Sequence, residues 1–223
     1  MIIQKDDWWV PVSDTHGFKY ISMEVEDADK VMAHCQKRRT VIQAGGNIGM
    51  WPMRLSSQFA KVITAEPDET NFTCLLKNIE GLPNIEAHNV AFGDSFTTGK
   101  INVNQIGNMG ALSVVPGDKF HIVPIDSLNV ETCDLLQLDV EGYELFALSG
   151  AVDTIKRSYP VVCIELNGLS KNYGHKDGDV LNFLRSLGYI KAQIIHRDVV
   201  FVHESKVFNK TEKPKPSLQE ALL

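Results

Sequence analysis

The chain has 223 residues, 43% of them hydrophobic and 22% charged, with a formal net charge of −6. This length allows one domain with extensions, and the composition can bury a real core, which excludes a disordered, collagen-like or disulfide-stapled mini-protein. The negative balance speaks against sequence-independent binding to a nucleic-acid backbone.

Residues 1–38 read as an N-terminal extension. Trp8 to Val12 and Phe18 to Ile21 are expected as short strands around the turn-like Ser13–Gly17, followed by a helix from Glu24 to Lys37. The charged residues in MIIQKDDWWVPV do not suit a signal peptide, and no run approaches about 18 apolar residues, so the chain reads as soluble and cytoplasmic. Cys35, Cys74, Cys133 and Cys163 lie far apart without a CxxC pair. They are expected as reduced thiols rather than a zinc site.

From residue 39 to 203 strands alternate with helices. Thr40–Ala44, Lys61–Ala65, Asn84–Ala91, Asp134–Leu138 and Pro160–Leu166 are predicted strands. Helical periods cover Ile48–Phe59, Asp68–Glu80, a run from Tyr143, Val152–Arg157 and Asp179–Leu187. In the second, Phe72, Leu75, Leu76 and Ile79 form one apolar stripe. Lys100–Asn104 and Phe120–Ile125 alternate like strands around the glycine-rich Gly107–Gly110. Tyr189–Ile195 and Val199–His203 close the domain as a hairpin. The pattern implies an α/β domain with a parallel sheet and one antiparallel strand at the end. Residues 204–223, rich in Lys and Pro, read as a mobile C-terminal tail with a short helix after Pro216.

Three segments carry chemistry. In Val41–Gly49 a strand, a glycine-rich turn and a helix start adjoin. The spacing departs from G-x-G-x-x-G, with Asn47 and Met50 in two glycine places, and no Gly-Lys-Ser/Thr follows. Glu66 sits directly after the second strand, where an acid accepts ribose hydroxyls. Leu136–Glu144 reads LQLDVEGYE, a buried strand ending in Asp139, Glu141 and Gly142. Since ligands of open α/β sheets bind at the carboxyl ends of strands, Gly45, Glu66 and Asp139 should meet in one crevice. Taken alone, the glycine segment also suits a plain tight turn, and Glu66 a helix cap.

The segments VIQAGGNIG, TAEPD, CDLLQLDVEGYE and VVCIELNG, in that order and with HIVPIDSL before the third, resemble the FkbM-like family of S-adenosylmethionine-dependent methyltransferases over about Thr40 to His203. The resemblance implies a class I methyltransferase (Rossmann-like) fold, a seven-stranded mostly parallel sheet with an antiparallel last strand and helices on both faces. It implies S-adenosylmethionine as cofactor. Gly45, Asn47 and Gly49 would wrap its methionine part, Glu66 would hold the ribose, Asn89 and Val90 would lie by the adenine, and Asp139 would face the methionine end and the acceptor. The family usually carries an acid, a partner for the cofactor's amino group, where this chain has Gln43. A neutral amide there weakens that bond.

Methyl transfer to an oxygen needs in-line alignment, exclusion of water and a base. Asp139, Glu141, Glu165 and His175 are the candidate bases. Asp139, Glu165 and Asn167 are candidate oxygen ligands for Mg2+. The acceptor is expected to be a hydroxyl of a sugar or other small metabolite, with Trp8, Trp9 and Gly107–Phe120 shaping its pocket. Two alternatives are a degenerate cofactor-binding module, motivated by Gln43, and a nicotinamide oxidoreductase, disfavoured by the glycine spacing.

Overall fold

The computed structural model describes residues 1–19 and 25–208. Its centre is a seven-stranded sheet whose order is β12 (Tyr189–Ile195), β13 (Asp198–His203), β11 (Val161–Glu165), β10 (Leu135–Leu138), β3 (Thr40–Ala44), β4 (Lys61–Ala65) and β5 (Ile85–His88). Strands β5, β4, β3, β10 and β11 run parallel. Strand β13 is antiparallel to both of its neighbours, β11 and β12. This is the expected class I arrangement, with the closing hairpin placed where the turn His196–Asp198 predicts it.

The parallel strands read as continuous apolar runs because both faces are covered. Ile42, Ile63, Leu136 and Val162 pack on one face against residues of the helices Glu144–Ser149, Val152–Ser158 and Asp177–Ser186. Val41, Val62, Leu135 and Val161 pack on the other, against Val31 and Met32 of the helix Ala28–Met32 and Leu55 of the helix Met50–Ser56. All four cysteines are free thiols. Burial pushes those of Cys35 and Cys133 up to about 12, so they are inert core residues.

A second, four-stranded sheet has the order β6 (Val90–Phe92), β9 (Phe120–Val123), β7 (Thr97–Val103) and β8 (Leu112–Pro116). The N-terminal hairpin pairs β1 (Ile2–Lys5) with β2 (Trp8–Pro11) and docks on the helix Glu69–Asn78. Asn78 accepts from the Trp9 N–H (2.8 Å) and donates to the Trp9 carbonyl (2.9 Å). Among the described residues no helix is long and apolar enough to cross a membrane.

Several elements differ from the sequence reading. Phe18 and Lys19 lie in a helical turn rather than a strand, because Asp14 accepts the N–H groups of Gly17 and Phe18. Tyr20 and Ile21 lie outside the described residues. The expected helix Glu24–Lys37 shortens to a 3-10 turn at Val25–Asp27 and the helix Ala28–Met32, with Glu24 outside the described residues. The strand expected over Asn84–Ala91 divides into β5 and β6, which join different sheets. Leu76 is 48% exposed, so the buried stripe of that helix holds Leu75 and Ile79 without it. The chain remains helical over Glu204–Phe208; the expected mobile tail beyond it, with its helix after Pro216, lies outside the described residues.

Candidate functional site

A cavity of about 310 Å³ opens at the carboxyl ends of β3, β4, β10 and β11. Each strand end contributes a residue whose backbone is tied to its neighbour. The N–H groups of Gly45 and Gly46 donate to the Ala65 carbonyl, at 3.1 and 2.9 Å. The Asp139 N–H donates to Ala44 (3.1 Å), and the Glu66 N–H to His88 (3.1 Å). Gly45 has φ +85°, and a Cβ on it would stand 1.9 Å from the Asp139 carbonyl oxygen. Only glycine permits β3 and β10 to close this tightly at the cavity floor.

Glu66 is 5% exposed. Its Oε2 accepts from the Asn47 N–H and its Oε1 from the Asp68 N–H, both at 2.8 Å. Burial raises its carboxyl to about 7, while the backbone donors oppose the shift. Asn47 turns through φ +48° to present that N–H, so the glycine loop and Glu66 form one unit. Asp68 caps the next helix by accepting from the Thr70 and Asn71 N–H groups, which fixes where Asn71 stands.

Asp139, Glu141 and Glu165 line the opposite part of the cavity, with ligand atoms all within 4.8 Å of one another. Glu141 has φ +55° and is followed by Gly142 at φ +99°, a turn that brings its carboxyl to the cavity wall. Burial, then the charges of Glu165 and Glu144, raise it to about 7. Arg197, at the β12–β13 turn, places Nε 3.1 Å from Glu165 Oε1. Asn167 donates its amide to Glu165 (2.7 Å) and Glu141 (3.4 Å), and its oxygen accepts from the Leu169 N–H. Asp139, Glu141 and Glu165 thus form a carboxylate cluster, and Asn167, one of the expected oxygen ligands, hydrogen-bonds to two of its members.

A third wall comes from the second sheet and the loop between its strands β7 and β8. Ala91, Phe92, Ile101, Leu112 and Val114 line the cavity together with Met109 and Gly110. Met109 is strapped in place. Its N–H donates to Asp14 Oδ1 (3.1 Å), and its carbonyl accepts from Asn71 Nδ2 (2.8 Å) and Asn47 Nδ2 (3.5 Å). The N–H groups of Thr15 and His16 both donate to the Gly107 carbonyl. Through these bonds the N-terminal extension reaches the site, and Gly17 lines it.

A glycine turn, a buried acid after the second strand and an acidic cluster after the fourth now share one crevice. Residues 44–191 match the methyltransferase FkbM domain, about two thirds of the chain. The chain belongs to the FkbM methyltransferase family. The FkbM methyltransferase of Methylobacillus flagellatus KT is similar at TM-score 0.56 and 20% identity, over 74% of this chain and 44% of its own; this chain thus spans less than half of that relative. The precorrin 8w decarboxylase encoded by the MT0146 gene of Methanobacterium thermoautotrophicum and the precorrin-6y C5,15-methyltransferase of Geobacter metallireducens GS-15 are each similar at TM-score 0.50. Their identities are 12% and 11%, over 90% of this chain and 95% of theirs. These likenesses show the fold. No curated protein matches the sequence.

Within this FkbM domain, Gly45, Asn47, Glu66, Asp139, Glu141 and Glu165 converge on the cavity as expected. Others do not. Gln43 is fully buried. Its Nε2 donates to the carbonyls of Ala44 (3.2 Å) and Gly45 (2.9 Å), and its Oε1 accepts from Thr64 Oγ1. The strand's period of two turns it to the sheet face opposite Ile42 and Ala44, so it stiffens the loop from behind and does not line the cavity. Gly49 caps the helix start outside the cavity lining. Asn89 donates to the Glu66 and Pro67 carbonyls, and Ala91 and Phe92 take the wall position expected of Asn89 and Val90. His175 packs its ring on Phe146 away from the cavity. Trp8 and Trp9 lie outside the cavity lining: Trp8 packs edge-on against Phe18, and Trp9 lies under the Lys77 ammonium. The segment Gly107–Phe120 contributes Asn108, Met109, Gly110, Leu112 and Val114 to the lining, as expected; Asn71 and Arg197 line the cavity without having been singled out by the sequence.

Proposed function

We propose that this methyltransferase uses S-adenosylmethionine to methylate a hydroxyl oxygen of a small acceptor, a sugar or similar metabolite. The observation that carries the reading is Glu141, held on the cavity wall by a strained turn with a carboxyl near 7. Among the described residues, four carboxyl side chains, Glu66, Asp139, Glu141 and Glu165, line a cavity with one cationic side chain, Arg197, and this charge balance suits a sulfonium cofactor. When bound, the cofactor would supply an electrophilic sulfonium methyl group. The protein's residues do the rest. Glu66 accepts from the ribose, the glycine loop admits the methionine part, and the apolar wall of Phe92, Ile101, Leu112 and Val114 excludes water. Glu141 takes the acceptor proton, which its raised pKa suits at neutral pH.

Calorimetry with S-adenosylmethionine and S-adenosylhomocysteine tests the cofactor, and mass spectrometry of a hydroxyl-bearing metabolite mixture tests the transfer. Tight binding and a product one methyl heavier are expected. No binding at millimolar concentration overturns the reading. Cofactor binding without turnover on any acceptor favours the degenerate module instead.

A second reading gives the same reaction a Mg2+ ion on Asp139, Glu141 and Glu165. It is favoured by their mutual spacing and by the preference of a hard cation for oxygen. Turnover undiminished by chelator rejects it.

A further inference from the structure

Asn71 is 1% exposed and lines the cavity beside Glu66. Its backbone is fixed by the Asp68 cap, and its Nδ2 is committed to the Met109 carbonyl at 2.8 Å. Its Oδ1 has no hydrogen-bond partner among the described residues. The amide cannot be turned over to relieve this. The exchange would set the oxygen against the Met109 carbonyl, two acceptors at hydrogen-bond distance. A buried acceptor without a donor is costly and uncommon in a folded protein. Here it stands beside the acid whose two oxygens each already accept one backbone N–H. A vicinal diol brings two donors to such a place, where Asn71 Oδ1 and the remaining lone pairs of Glu66 are the open acceptors.

We propose that Asn71 is a cofactor-binding residue whose Oδ1 accepts a hydrogen bond from one ribose hydroxyl of the bound adenosyl group, with Glu66 accepting from the other. The proposal rests on the S-adenosyl reading above and adds a residue to it. The Met109 strap has a part in it, since the carbonyl of Met109 sets which way the Asn71 amide faces. Recognition of the ribose edge is thereby shared between the end of β4 and the first turn of the following helix.

The test is calorimetry of S-adenosylhomocysteine and its 2′-deoxy and 3′-deoxy analogues with the wild-type protein and the Asn71→Ala variant. Wild-type protein should lose roughly three- to tenfold in affinity for the analogue lacking the hydroxyl that Asn71 holds. The variant should bind that analogue and the parent ligand equally, while still discriminating against the other. Unchanged affinity of the variant overturns the proposal. So does an equal loss for all three ligands, because Asn71 then only holds Met109. Should Asn71→Ala not fold, the side-chain amide signal of Asn71 in the wild-type nitrogen–proton spectrum decides. It should shift with S-adenosylhomocysteine and shift less with one deoxy analogue; an unmoved signal overturns the assignment. Wild-type protein that binds none of the ligands overturns the cofactor reading along with this one, whereas binding with an indifferent variant overturns this one alone.

Discussion

The Asn47 N–H donates to Glu66 Oε2 at 2.8 Å, which joins the loop after β3 to the acid after β4. A substitution at Glu66 should therefore act twice, removing the proposed ribose acceptor and releasing the loop. Glu66→Ala should weaken S-adenosylhomocysteine binding by roughly a hundredfold or more, the scale of a charge-assisted bond plus a stranded donor. Glu66→Gln should recover part of it, since one acceptor oxygen remains. Calorimetry measures both, and equal affinity in wild type and Glu66→Ala would remove Glu66 from the site.

Glu144 yields a prediction of opposite sign. It is 1% exposed, its Oε1 accepts from the N–H groups of Val140 and Gly142, and burial raises its carboxyl to about 7. An unfolded glutamate titrates at about 4.5, so between these values the unfolded chain releases a proton that the folded chain keeps. Stability falls as pH rises through that window and levels off above 7. Glu144→Gln keeps the Oε1 acceptor and removes the buried charge. It should leave stability near pH 4 unchanged and raise it at pH 8 by on the order of 3 kcal/mol. Urea denaturation at the two pH values measures the difference; a gain equal at both rejects the cause.

Asp14 lies 8% exposed in the N-terminal extension and accepts from the N–H groups of Gly17, Phe18 and Met109. Asp14→Ala strands all three. Hydrogen exchange at Met109 should accelerate, and S-adenosylhomocysteine affinity should fall roughly tenfold because the strap no longer orients Asn71. Asp14→Asn, which retains an acceptor oxygen, should fall between. Unchanged exchange at Met109 would show that the strap is held by other means.

Among the described residues, Arg197 is the one cation of a cavity whose other charged lining residues are acids. Arg197→Gln makes that cavity more negative. The change favours the cationic S-adenosylmethionine over its neutral demethylated product. The ratio of their affinities should move toward S-adenosylmethionine by roughly threefold at low salt and less at high salt, since the guanidinium is partly solvated. Competition calorimetry at two ionic strengths checks it.

Much of this was legible in sequence. Thr40–Ala44 and Lys61–Ala65 match β3 and β4 residue for residue, because a buried parallel strand is a short apolar run bounded by turn residues. The acids at strand ends followed from the strands. Gln43 shows what motif position alone does not carry: strand period turns its amide away from the cavity, with Ile42 and Ala44 facing one way and the amide the other. Gly107–Phe120 is legible as a pocket segment, but the strand within it is not: β8 is defined by pairing with β7 across a loop, and nothing local distinguishes it from an irregular stretch. Asn71 sits on the exposed-looking start of a helix, where a polar residue reads as solvated until Met109 is laid over it.

The cavity draws its walls from Gly17 near one end of the described chain to Arg197 near the other. No half of the polypeptide holds the whole of it: the glycine turn without the closing hairpin lacks its cation, and the sheet without the N-terminal segment lacks the strap that holds Met109. Occupancy by a nucleoside ligand is then a report on the complete fold. At saturating ligand the binding free energy adds to the stability of every element at once, so a cell holding abundant cofactor would protect only those molecules that have finished folding.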